Sequence, residues 1–124
     1  MSFFGNMIER AGIAKHKAAV DSFLKRVVGL DLSSSQVDRF MPLIAAGYRE
    51  GCSVEDIALK IATAFYAKAC EGSARERAIA ERLFIKLQFA IGASAASGAI
   101  SPESSEEFQT VVRHSTQQRL LRED

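Results

Sequence analysis

The pattern that decides the fold lies in the stretch Gly51-Cys52-Ser53-Val54-Glu55-Asp56-Ile57-Ala58-Leu59-Lys60-Ile61. A serine placed just before a helix accepts a hydrogen bond from an otherwise unpaired amide of the first turn, and acids in that turn favour the positive end of the helix. Apolar side chains then follow at spacings of three and four residues, which is the helical period. The stretch predicts the start of a capped amphipathic helix.

The same start signal recurs along the chain. A serine is followed two to four residues later by an acid in each copy, and one copy has proline in the first turn, where its missing amide costs nothing. The copies are Ser34-Ser35-Gln36-Val37-Asp38, Ser53-Val54-Glu55-Asp56, Ser73-Ala74-Arg75-Glu76 and Ser101-Pro102-Glu103-Ser104. Together with an apolar-periodic N-terminal segment, they predict an all-α, compact bundle of about five helices, at about 2–28, 35–50, 53–71, 74–98 and 102–121.

Glycine and proline predict irregularities in these helices. Gly12 marks a weak stretch where the first helix could bend, and Gly29 is expected to end it. Pro42 predicts a kink in the second helix or a late start near Phe40, because proline costs about 3 kcal/mol inside a helix. The inner face of the fifth helix is predicted to hold Phe108, Val112, Thr116 and Leu120, helped by Val111 and Leu121.

The third helix and the second half of the fourth are expected to be central, because both are apolar around most of their circumference. From Leu83 to Ile100 only Lys86 is charged, which approaches the length of a membrane span. The small residues of 92–99 favour instead a buried hairpin helix that lets another backbone approach closely. The 124 residues predict a single domain over 1–124, with 1–12 as a protruding or docking arm.

Composition describes an ordinary globular protein, with 48% apolar and 25% charged residues and a net charge of +1. The charge is uneven: residues 1–30 and 73–100 are basic, whereas 31–72 and 101–124 are acidic. These segments could pair within one fold, pair between subunits or form solvated faces. Cys52 and Cys70 lie at opposite ends of the third helix, about 27 Å apart, so they cannot form a disulfide within one copy. Unpaired thiols without a signal peptide predict a cytoplasmic protein.

The residues expected of an active site do not form a recognisable set. His16 and His114 are far apart in sequence, and no cysteine or histidine pair has ligand spacing. The carboxylates of Glu55-Asp56 and of Glu103, Glu106 and Glu107 occupy first-turn positions, where a helix end favours them. We therefore expect no enzyme and no cofactor or metal.

The segment from Tyr48 to Ile61 resembles the front half of helix-turn-helix domains, through Gly51, Ser53 and the Asp56-Ile57-Ala58 trio. The resemblance implies a DNA-binding regulator with a degenerate motif at about 48–70. The chain departs from the family after Ile61, where it lacks the tight turn that precedes a recognition helix. Under this alternative, phosphate contacts would come from Arg75, Arg77, Arg82 and Lys86.

The N-terminal apolar cluster allows three interpretations: docking on the domain's own core, contact with another chain, or an interfacial helix on anionic lipid. We expect a non-enzymatic helical protein-interaction module, adaptor or regulatory/structural, that self-associates as a homo-oligomer. Its predicted contact residues are Phe3, Phe4, Met7 and Ile8, with the small-residue face Gly92, Ala95 and Ala96. A DNA-binding regulator and a peripheral membrane protein remain the alternatives.

Overall fold

The computed structural model describes residues 3–122, with the side chains of Phe3 and Phe4 outside what it describes, and it contains no strand over that range. Five α-helices follow one another: α1 (Phe3–Phe23), α2 (Ser34–Arg49), α3 (Val54–Cys70), α4 (Ala74–Ala96) and α5 (Pro102–Leu121). A π-helical turn, Leu24–Val28, extends α1. The predicted all-α bundle of five helices is confirmed.

Serine caps start four of the helices. Ser33, Ser53, Ser73 and Ser101 each accept a hydrogen bond from the backbone N–H three residues later. The cap of α2 is Ser33, one residue before the predicted signal. Ser33 is favoured because Gln36 returns a hydrogen bond to its backbone N–H, which completes a capping box.

The first helix runs through Gly12 without a break to Phe23. Gly12 lies against the Tyr48 ring, where an added Cβ would overlap the phenol oxygen, so this glycine permits a close approach of α2. The irregular turn comes later, at Leu24–Val28. It ends at Gly29, which has φ of 74° and donates its N–H to the Leu24 carbonyl, as the sequence predicted.

The second helix does not start late. It begins at Ser34 and continues through Pro42 to Arg49. Proline has no N–H, so the carbonyl of Asp38, four residues earlier, lacks its helical hydrogen-bond donor. Both Pro42 and Asp38 are exposed. Water can hydrate that carbonyl, so the helix tolerates the proline without leaving a buried polar group unpaired.

Helix α3 forms the centre of the bundle, as predicted, and touches all four other helices. Tyr66, Ile57, Leu59 and Ile61 are fully buried on it. Three hydrogen bonds join α3 and its two caps to the C-terminal hairpin: Ser53 Oγ donates to the Ala99 carbonyl at 2.6 Å, Tyr66 shares one with Thr116, and Arg122 Nη1 donates to the Glu71 carbonyl. These contacts set α3 and α5 side by side in parallel.

The fifth helix turns most of its predicted inner face to the core: Phe108 and Val112 are buried, and Thr116 is bonded to Tyr66. Its buried residues are Ser105, Phe108, Val112, Ser115 and Arg119. Leu120 and Leu121 are 56% and 76% exposed, and Val111 is 41% exposed. The difference lies at the end of the helix, where Arg119 is buried and its guanidinium lies 5.9 Å from the centre of the Phe84 ring. An arginine stacked on an aromatic ring replaces the leucine that the apolar pattern favoured.

Candidate interaction surface

The outward face of α4 carries a continuous apolar stripe. Ile85, Phe89, Gly92 and Ala96 recur at spacings of four, three and four residues, which places them on one side of the helix. We call these four residues the α4 stripe. Ile85 and Phe89 are each 73% exposed, and Gly92 and Ala96 are exposed as well. Side chains of this size are normally covered, so the stripe is the first candidate for a contact surface.

The stripe is exposed because the opposite face of α4 makes all of its packing contacts. Ala80, Leu83, Leu87, Ala90, Ile91 and Ser94 are buried. That face meets α3, α5 and the π-helical turn. The second half of α4 is therefore central through this packed side, as predicted, while its other side is uncovered in the described part of the chain.

The small residues of α4 form a shallow notch beside the large ones. A Cβ added to Gly92 would meet no atom within 4 Å, so nothing in the described part of the chain approaches this position. The predicted close approach of another backbone is therefore not made within one copy at Gly92. Ala95, which was predicted to share this face, is half-buried against the core instead.

The structure separates the two halves of the predicted contact surface. Met7 and Ile8 are 51% and 69% exposed near the start of α1, and among the described residues α1 does not touch α4. These two side chains do not dock on the domain's own core, which removes one of the three interpretations for them. The side chains of Phe3 and Phe4 lie outside the described residues.

The sequence pattern missed Ile85 and Phe89. A helical wheel of α4 would have found them, since both lie opposite Leu83, Leu87 and Ala90 once the polar first half of the helix fixes its outward side. They were not singled out because the whole second half of α4 is apolar.

The basic residues of α4 have mixed surroundings. Arg77 Nη1 donates to the Gly72 carbonyl at 3.1 Å, and the Lys86 side chain lies against Gly29. Arg75 and Arg82 are exposed, and neither forms an ion pair within residues 3–122. Of the four predicted phosphate contacts, Arg77 is thus bonded to a backbone carbonyl of the chain itself, and Lys86 lies against the Gly29 backbone.

The segment 48–70 contains the end of α2, a short turn and an unbroken α3. Helix α3 continues through Ile61 to Cys70, so the turn that a helix-turn-helix needs after Ile61 is missing. Ser53 caps α3, and Asp56 in its first turn pairs with Lys60. Capping and packing account for the residues that carried the resemblance.

Titratable groups are dispersed over the molecule. His16 packs edge-on against Tyr48, while His114 is exposed on α5. Burial raises the pKa of both thiols, Cys52 at the start of α3 and Cys70 at its end, and both cysteines are free. Within the described residues, no three His, Cys, Asp or Glu side chains come together in a way that could hold a metal ion.

No helix in the described range 3–122 has the length and apolar character that a membrane crossing needs. The chain was also compared with known proteins. No family model matches it, and no curated protein or solved structure is significantly similar to it.

Proposed function

We propose that this chain is a non-enzymatic helical interaction module that self-associates by packing α4 of one copy against α4 of a second copy, in antiparallel orientation. The observation that carries the proposal is the α4 stripe, where Ile85 and Phe89 are each 73% exposed and lie next to the notch at Gly92 and Ala96. The stripe has its two large residues at one end and its two small residues at the other, so an antiparallel second copy would place large side chains against small ones.

The register of the pair follows from the spacing. If the two-fold axis passes between Phe89 and Gly92, Phe89 of each copy lies opposite Gly92 of the other. Ile85 then lies opposite Ala96, so both large side chains meet a small residue. A two-fold axis makes each contact twice, which is the self-complementarity that an isologous dimer requires. Small residues opposite large ones also allow two helices to pack closely.

Charge supports the same orientation. In this register, Arg82 of one copy reaches the level of the turn between α4 and α5 of the other, beside Glu103 at the start of α5. Neither Arg82 nor Glu103 has an ion-pair partner in the described part of its own chain. Charged pairs at the rim of an interface fix orientation and favour encounter more than they add affinity.

The interface is small, so the association is expected to be weak. Burying two Phe and two Ile side chains contributes about 8 kcal/mol at roughly 2 kcal/mol each. The loss of translational and rotational freedom costs on the order of 4–15 kcal/mol. At the lowest of these costs the balance is about 4 kcal/mol, so we expect a reversible dimer that is dissociated at micromolar and forms towards millimolar concentration.

Sedimentation equilibrium over that concentration range tests the proposal. The wild-type chain should shift from monomer to dimer, and Phe89→Glu should remain monomeric, because a carboxylate would be buried opposite Gly92 without a partner. Leu121→Glu is the matched control: Leu121 is 76% exposed, but it lies at the end of α5 and should leave the dimer unchanged.

A second variant distinguishes the α4 stripe from the N-terminal residues. Ile8 is 69% exposed on α1, and Ile8→Glu should leave the dimer intact. If Ile8→Glu abolished association while Phe89→Glu did not, the contact would lie on α1 and the α4 pairing would be wrong. A wild-type chain that stays monomeric at millimolar concentration would refute self-association altogether.

A further inference from the structure

A groove separates α2 from α4, with α3 as its floor. Its volume is about 480 Å³, within the range of small-molecule sites in proteins. The groove exists because, in the described chain, α2 leans on α1 and α3 without contacting α4. It lies on a different side of α4 from the stripe, so this inference does not rest on the proposed dimer.

The walls of the groove are mostly apolar. Phe40 of α2 faces Ile79 of α4 across a floor that includes Ala64 and Phe65 of α3. Phe40 and Phe65 are only partly buried, and Ile79 is 43% exposed. A ligand with an apolar body would remove this surface from water, which is the main favourable contribution to binding in concave sites.

Two cations stand at the rim of the groove. Arg39 and Lys68 are both exposed, and the described residues offer neither of them a carboxylate within ion-pair distance. Glu76 is the only acid lining the groove among the described residues, and its carboxylate accepts hydrogen bonds from the backbone and hydroxyl of Ser73. The rim therefore offers two cations, while its one carboxylate is engaged at the start of α4.

Gln36 completes the lining on the α2 side. Its side-chain oxygen accepts the Ser33 N–H in the α2 capping box. Gln36 Oε1 and Glu76 Oε1 thus each accept a hydrogen bond within a helix cap, whereas the donors on Arg39 and Lys68 have no carboxylate partner in the described part of the chain. This asymmetry selects an anionic head group over a neutral or cationic one.

We propose that the groove between α2, α3 and α4 binds a free monocarboxylate with a single apolar chain of medium length, such as a medium-chain fatty acid. The chain lies along Phe40, Phe65 and Ile79, and the carboxylate accepts hydrogen bonds from Arg39 and Lys68. The two cations are on neighbouring helices, so the bound head group also links α2 to α3.

Isothermal titration calorimetry with decanoate and with decanol tests the proposal. Decanoate should bind at one site per chain, and decanol should bind about tenfold more weakly, because it lacks the charge-assisted hydrogen bonds. The double variant Arg39→Gln/Lys68→Gln should weaken decanoate by about the same factor without changing decanol. The double variant Arg10→Gln/Lys15→Gln removes two exposed cations of α1, which does not line the groove, and serves as the charge-matched control.

Two more variants locate the site. Ala64→Leu fills the floor from an exposed helix position and should abolish binding while leaving the circular dichroism spectrum unchanged. Phe89→Glu alters the α4 stripe and should leave decanoate affinity unchanged. The proposal fails if decanoate does not bind at millimolar concentration, if decanol binds equally well, or if Phe89→Glu rather than Ala64→Leu abolishes binding.

Discussion

Tyr66 and its neighbours hold the deepest polar contacts of the bundle. The Tyr66 side chain is fully buried between α3 and α5, where its hydroxyl shares a hydrogen bond with Thr116 and its ring packs on Phe84. Arg119 is 94% buried beside it, since only 6% of its surface is exposed, and its Nε and Nη1 have no hydrogen-bond partner in the described chain. Stacking on Phe84 offsets part of the cost of this buried cation.

Burial of Tyr66 is expected to make the free energy of unfolding fall at alkaline pH. Burial raises the pKa of Tyr66 to about 12, against a smaller lowering effect of the Thr116 hydrogen bond. An unfolded chain ionises this phenol near its ordinary pKa of about 10. The folded state therefore holds the proton more tightly, and its advantage is complete below about pH 10 and lost as pH rises towards 12.

We expect the free energy of unfolding to fall by about 2 kcal/mol between pH 10 and pH 12 through this one group. Urea denaturation at a series of pH values measures the loss. Tyr66→Phe should be less stable at neutral pH, because it lacks the hydrogen bond to Thr116, but its stability should fall less over the alkaline range. An alkaline loss of the same size in both proteins would show that another group is responsible.

Ser53 makes a second hydrogen bond in addition to the one by which it caps α3. Its hydroxyl oxygen accepts from the Asp56 N–H at 3.1 Å and donates its hydrogen to the Ala99 carbonyl at 2.6 Å. One side chain thus satisfies an amide at the start of α3 and a carbonyl in the turn between α4 and α5. Ser33 supplies a matched comparison, since it caps the exposed start of α2 and makes no such bond to a distant element.

Ser53→Ala is expected to cost about 2–3 kcal/mol of stability, because it removes a cap and leaves the Ala99 carbonyl without its donor. Ser33→Ala should cost only about 1 kcal/mol, the ordinary loss for a cap. Chemical denaturation of both variants gives the two values, and their difference estimates the bond to Ala99. Equal losses would mean that this bond adds nothing beyond the cap.

The positions of the helices could be predicted from the sequence, whereas the side that each helix turns to the core was harder to predict. Ser53, Ser73 and Ser101 act through their immediate neighbours, so local chemistry predicts where α3, α4 and α5 begin. Which side of α4 or α5 faces inward depends on partners far along the chain, such as Phe84 for Arg119. The apolar second half of α4 gives no outward side by itself, and only the polar first half of the same helix indicates that Ile85 and Phe89 face outward.

The groove could not be predicted from the sequence, because it too depends on how separate helices pack. Phe40 and Phe65 belong to different helices, and nothing local indicates that α2 leans away from α4. A cavity is a property of how elements are arranged, so its lining can be recognised only after the helices are placed.

At the scale of the whole molecule, the bundle presents two apolar surfaces with different shapes. The α4 stripe is convex and self-complementary, which suits a second helix, whereas the groove beside α3 is concave and bordered by cations, which suits a small anion. Because the two surfaces lie on different sides of α4, a dimer built on the stripe would leave the groove of each copy accessible.

The orientation of the proposed pair can be measured directly with spin labels on α4. Ala93 and Ala78 are both exposed, so a cysteine at either position can carry a nitroxide once Cys52 and Cys70 are replaced and circular dichroism shows that the helices are retained. In an antiparallel pair centred between Phe89 and Gly92, the labels at position 93 are separated along the helix axis by about 8 Å, at 1.5 Å per residue. Labels at position 78 are separated by about 38 Å, because each lies further from the two-fold axis. A parallel pair would bring the labels close together at both positions, so a short distance at 78 in double electron–electron resonance would exclude the antiparallel register even if the chain dimerises.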